Sequence, residues 1–229
     1  MRLDSRVEFP LRLPLWLRIG FWICIFISVA VVLRRLFALF HPSQGGQIAS
    51  LDNVFASHTG VTLAHILPAL LFVLVAPIIV FRRTPRPAWL NTAFYTLGVI
   101  VGITAYAMSA YAVGGWIERS AVFFFDSLFL FSLARAWRLH QTSDSASARR
   151  WELRSIAILL GIATTRPVMG IFFATSPLTH LTFHQFFGLA FWIGFSINVL
   201  IFELWLRFAD RHLSTARTSQ APDARMRSA

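Results

Sequence analysis

Val61-Thr-Leu-Ala-His-Ile-Leu-Pro-Ala-Leu-Leu-Phe-Val-Leu-Val-Ala-Pro-Ile-Ile-Val-Phe81 carries no formal charge and ends on Arg82-Arg83. A hydrocarbon layer about 30 Å thick takes about 20 apolar residues of helix to cross, and this run supplies them with one ionisable side chain inside, His65. Five more runs have the same character, at residues 15–37, 90–113, 116–134, 155–174 and 183–206. The sequence therefore predicts an all-α fold, a polytopic transmembrane bundle of six helices. The whole chain agrees: of 229 residues 56% are hydrophobic and only 14% charged, with mean hydropathy +0.63.

Every one of the 21 basic residues is Arg, and their placement predicts orientation. Arg2, Arg6, Arg12 and Arg18 precede the first run. Arg82, Arg83 and Arg86 follow the second, Arg135, Arg138, Arg149, Arg150 and Arg154 lie between the fourth and fifth, and Arg207, Arg211, Arg217, Arg225 and Arg227 follow the sixth. The opposite side holds only Arg34, Arg35 and Arg119. Arginine collects on the cytoplasmic side of membrane helices, so the N and C termini are both expected to be cytoplasmic, in a cell inner membrane, with Arg34 and Arg35 snorkelling to the other face. Residues 1–14 read as a cytoplasmic N-terminal segment, 15–208 as the transmembrane domain and 209–229 as a basic, disordered tail. The first run ends in Arg34-Arg35 without a small-x-small cleavage site, which favours a retained helix over a signal peptide.

The formal charge of +11 flanks helices and forms no basic face interleaved with aromatics, so the expected partners are anionic lipid head groups and not nucleic acid. Cys24 is the single cysteine, which excludes an internal disulfide and any multi-thiolate metal site. Between the first two runs, Pro42, Gly45, Gly46 and Gly60 mark a connection with a short interfacial helix near residues 48–55. Gly98 and Gly102 have the spacing that lets a neighbouring helix approach closely. No phosphate-binding glycine loop or nucleophile elbow occurs, no catalytic residue is assigned, and enzymatic activity is not the expectation.

Ionisable groups inside a membrane are functional suspects. His65, Asp126, Arg166 and His184 fall at similar depth in the outer half, roughly 6, 10, 12 and 2 Å in at 1.5 Å per residue. They are the candidate polar pocket, with an Asp126–Arg166 ion pair at its centre. His180 and His184 are four residues apart, a spacing that shares a helical face. His65, His184 and His180 are thus weak candidates for a metal, and His65 with His184 for the axial ligands of a haem b. No cofactor is the preferred reading. Arg154, Asn198 and Glu203 form a second polar set at the cytoplasmic end, where Arg154 and Glu203 lie at comparable depth.

A likeness rests on particular residues. They are His65-Ile66-Leu67-Pro68-Ala69-Leu70, the basic turn from Arg82 to Arg86, Arg149-Arg150-Trp151-Glu152-Leu153-Arg154-Ser155, Arg166, and Asn198-Val199-Leu200-Ile201-Phe202-Glu203-Leu204-Trp205. Over residues 58–208 the chain resembles the bacterial predicted-membrane-protein family catalogued as domain of unknown function 2306. Pro87-Ala88-Trp89-Leu90-Asn91 stands where that family has a His-Arg pair, and Ala148 where it has a His. The resemblance implies a multi-helix membrane fold with no established activity. It carries over His65, Arg154, Arg166 and Glu203.

Two functional readings follow. One is a multi-pass membrane protein whose outward polar pocket binds or passes a small molecule or proton. The other is a redox protein resembling a b-type cytochrome.

Overall fold

A computed structural model describes residues 13–41, 46–82, 86–142, 144–180 and 182–220, without the side chains of 46–48, 50–51, 176, 179 and 210–220. The described chain is all helical. Its elements are α1 (Leu15–Phe40), α2 (Gly46–Ser57), α3 (Thr59–Phe81), α4 (Ala88–Ser109), α5 (Gly115–Gln141), α6 (Ser145–Leu159), α7 (Gly161–Thr179) and α8 (Phe183–Gln220). Local chemistry sets several of these boundaries. Pro14 and Pro87, held in extended backbone, precede α1 and α4. Asp144 accepts a hydrogen bond from the Ser147 amide at 3.1 Å and caps α6, the ordinary use of aspartate at a helix start. Gly115 takes a φ of +60° to turn the chain from α4 into α5, a conformation a side chain resists.

Five helices are long and apolar enough to cross a membrane: α1, α3, α4, the joined α6–α7 window Ser145–Thr175, and α8. The expected span at 116–134 lies within α5, which is long but carries Glu118, Arg119, Asp126, Arg135 and Arg138 and is not among the five. The expected helix at 155–174 is divided: the chain turns at Leu160 between α6 and α7, where Gly161 packs so closely on Phe195 that a Cβ would lie 2.6 Å from its ring. At the C terminus α8 extends into the expected tail of 209–229. The backbone stays helical to Gln220, because no glycine or proline interrupts the sequence between Gly194 and Pro222. Residues 1–12 and 221–229, part of the expected terminal segments, lie outside the described residues.

Neighbouring helices pack in the order α1, α3, α4, α5, α8, α7 and back to α1, with α6 between α5 and α8. Phe72, Phe94, Ile79, Leu90, Leu133 and Leu206 are fully buried at the centre. Phe72 stacks on Phe94 at 4.8 Å between ring centroids and meets Phe129 edge-on at 5.8 Å, geometries aromatic rings favour. Apolar residues also face outward, with Phe26 and Trp116 each 75% exposed, while Glu152 is 1% and Asp52 2% exposed. Oil outside and charge inside is the distribution a hydrocarbon solvent selects. Two ends can be distinguished. The α2 end holds the α1–α2, α4–α5 and α7–α8 connections; the arginine-rich end holds the α3–α4 and α5–α6 connections.

Small residues set the helix spacing. A Cβ on Gly98 would meet Leu133 at 2.6 Å and one on Gly102 would meet Leu130 at 2.5 Å, so the expected close approach is that of α5 to α4. At Gly194 the obstacle is backbone, the Thr165 nitrogen at 2.6 Å, which cannot swing aside. Gly194→Ala is therefore expected to destabilise the α7–α8 pair by about 1–3 kcal/mol, the usual cost of overpacking. Gly60→Ala, with nothing within 4 Å, serves as the control. Unfolding midpoints of the purified proteins check this, and equal midpoints for the two variants would contradict it.

Candidate functional site

Arg34 and Arg35 close α1 and reach Asp52 on α2. The Arg35 Nη1 donates to Asp52 Oδ1 at 2.8 Å and the Arg34 Nη2 to Oδ2 at 3.2 Å, while the Arg35 guanidinium lies 3.9 Å from the Phe55 ring centroid. These arginines, expected to snorkel, instead hold a buried carboxylate. One layer deeper is Arg166 on α7. Among the described residues its Nε is buried without a hydrogen-bond partner, and its Nη1 meets the Met169 sulfur at 3.8 Å. Arg34, Arg35 and Glu118 act on this guanidinium electrostatically. Glu118, on the first turn of α5, accepts the Gly114 amide at 2.6 Å and so serves the helix start.

The expected Asp126–Arg166 ion pair does not form. Asp126 Oδ2 is buried and has no partner of its own, and none of the ion pairs among the described residues joins the two. Equal depth brought them to one level, but Asp126 lies on α5, which packs on α6, α4 and α8, whereas Arg166 lies on α7, which packs chiefly on α8 and α1. His65 on α3 is also elsewhere: its Nδ1 lies 3.0 Å from the Thr104 hydroxyl on α4. His184 opens α8 with its Nδ1 against the Val113 carbonyl. His180 follows α7 in a left-handed conformation, φ 52°, exposed. The structure thus gives Arg166 a setting of its own and hands His65 and His184 separate hydrogen-bond partners. Among the described residues no group of three or more His, Cys, Asp or Glu side chains could hold a metal ion.

At the arginine-rich end Arg154 and Glu203 do pair, Nε to Oε1 at 2.5 Å and Nη2 to Oε2 at 3.2 Å. Arg154 also lies 4.5 Å from the Trp151 ring centroid. Asn198 is not part of this set. It accepts from the Thr164 hydroxyl at 2.6 Å and donates to the Ala157 carbonyl at 3.3 Å, pinning the α6–α7 turn to α8. A hollow of about 260 Å³ lined by Phe131, Trp151, Arg154, Val199, Phe202 and Glu203 adjoins the ion pair.

Sequence reasoning missed the strongest polar cluster. Arg86 grips the buried Glu152 with two bonds, at 3.0 and 2.7 Å, and the Tyr95 hydroxyl donates to the same carboxylate at 2.9 Å. Three residues before Glu152, Arg149 donates to the Ile79 and Val80 carbonyls at 2.9 and 2.6 Å and caps α3. The available signal was a lone acid, Glu152, amid Arg149, Arg150 and Arg154 at the start of an apolar run.

No family model, curated protein or solved structure matches the chain.

The two ion pairs differ in burial, and their expected values differ with it. Removing Arg86 by Arg86→Gln strands Glu152 and is expected to cost about 3–5 kcal/mol. Arg154→Gln breaks a partly exposed pair and is expected to cost at most about 1 kcal/mol. Asp126→Asn and Arg166→Gln, lacking contact, are expected to add within about 0.5 kcal/mol. Unfolding midpoints of single and double variants measure all three; a large coupling between Asp126 and Arg166 would refute the separation.

Proposed function

We propose that this chain is a six-span integral membrane protein of the cell inner membrane, both termini cytoplasmic, with a polar site on the outer side that binds or passes a small molecule or proton. One observation carries the reading. Arg166 and Asp126 each bury a polar atom without a partner among the described residues, and such groups are retained in a hydrocarbon setting chiefly where they do something. Six spans require α5 to cross, and its packing between α4, α6 and α8 supports that despite its charge. The pairing of Arg154 on α6 with Glu203, part-way along α8, supports these two helices meeting at the arginine-rich end. The cytoplasmic placement of that end rests on its excess of arginine. Anionic lipids on that side are the partners this charge favours. Kinship with the family whose motif residues include His65, Arg154, Arg166 and Glu203 belongs to the same reading.

Two engineered cysteines in a Cys24→Ser background test it. Ser57→Cys, exposed at the end of α2, is expected to react with a membrane-impermeant maleimide on intact cells. Thr142→Cys, exposed after α5, is expected to react only once the membrane is opened. The reverse pattern would overturn the orientation and with it the outward site. The competing reading, haem held by His65 and His184, has its own signature: a Soret band in purified protein that disappears in His65→Ala and His184→Ala would replace the present proposal.

A further inference from the structure

We infer that Arg166 anchors a small oxyanion, a carboxylate or phosphate entering from the α2 end, with Arg34 and Arg35 as the supporting positive field. The inference rests on the outward polar site proposed above and names its ligand class.

Arg34, Arg35 and Arg166 gather against Asp52 and Glu118 at this end of the bundle, while Arg119 at the same end is spent on the Ser109 and Ala110 carbonyls. With both acids ionised the cluster keeps one positive charge in excess. The carboxylates, moreover, are engaged elsewhere. Asp52 is held by Arg34 and Arg35, and Glu118 is held by the Gly114 amide. Arg166 is left with a buried, partnerless Nε and a sulfur contact at 3.8 Å on Nη1. A thioether is a poor acceptor, so the planar fork of the guanidinium is available to two oxygens of one anion, the geometry arginine favours. Apolar neighbours complete the setting. Met169 and Phe187 are buried in the small outer core, against which Phe55 packs, and they keep the local dielectric low. Low dielectric both raises the cost of an unanswered Arg166 and strengthens its pairing with an anion. Arg34, about half exposed, faces the surface from which the ligand would arrive and adds attraction at longer range.

The test uses full-length protein in dodecyl maltoside, which carries no phosphate, with unfolding followed by the fluorescence of the eight tryptophans. Inorganic phosphate, acetate and chloride are titrated at fixed ionic strength. Phosphate or acetate is expected to raise the unfolding midpoint saturably, as a ligand of the folded state does, while chloride does not. Arg166→Gln is expected to abolish the shift. Arg166→Lys, which keeps the charge without the fork, is expected to weaken the apparent affinity about tenfold or more. Glu118→Gln, which removes a nearby negative charge, is expected to tighten it and serves if Arg166→Gln fails to fold. A short-chain phosphatidylglycerol titrated in parallel separates the sources: a shift at lower concentration than inorganic phosphate assigns the anion to a lipid head group, and the converse to a soluble ion. Equal shifts with chloride, a shift that survives Arg166→Gln, or no tightening in Glu118→Gln would overturn the inference. Labelling of Ser57→Cys from outside without any anion effect would remove this inference alone; absence of that labelling would remove the reading beneath it.

Discussion

The carboxylate of Glu152 fixes the arginine-rich end of the bundle, because a charge taken out of water must be answered by its neighbours or not be there at all. It is answered in full, by two guanidinium bonds from Arg86 and a hydroxyl bond from Tyr95. One turn of α6 thereby holds the α3–α4 connection and α4, and Arg149 in the preceding turn takes the last carbonyls of α3. Helix ends leave carbonyls that need donors, and long arginines from adjacent helices supply them. The same device recurs at the other end, where Arg119 donates to the Ser109 and Ala110 carbonyls at 3.0 Å each and closes α4. Arginine here serves as structural mortar.

The two ends differ in how completely charge is answered. At the arginine-rich end Glu152 and Glu203 each have a guanidinium partner in good geometry. At the α2 end Asp52 and Glu118 are occupied and Arg119 closes α4, whereas the Arg166 Nε has no partner among the described residues. A bundle that gives both glutamates of one end a guanidinium partner and leaves the Arg166 Nε without one among the described residues has separated its anchoring chemistry from whatever Arg166 serves.

What could be read beforehand was what depends on length and period. The apolar runs mark α1, α3, α4 and α8 closely, the breakers around residues 42–60 frame α2, and the spacing of Gly98 and Gly102 marks a face that α5 approaches. Arg154 and Glu203 were within reach because they sit at one depth on helices that run past each other. Depth, however, is a single coordinate. It put Asp126 beside Arg166 on paper, but the turn of each helix about its own axis decides which neighbour a side chain meets, and the sequence does not state it. The partner of Arg34 and Arg35 was hidden for another reason: Asp52 belongs to a connecting segment whose fold back over α1 is a tertiary fact. Glu118 was passed over because it stands at a helix start and binds backbone.

The charge content of α5 has a consequence for how the molecule comes into being. A segment bearing Glu118, Arg119, Asp126, Arg135 and Arg138 has little drive to leave the translocation channel by itself. One close backbone neighbour, Gly188 on α8, where a Cβ would lie 2.8 Å from the Glu118 nitrogen of α5, is made about seventy residues later. If α5 crosses as proposed, it waits during synthesis in the company of α4, and the bundle is sealed only when the last helix arrives.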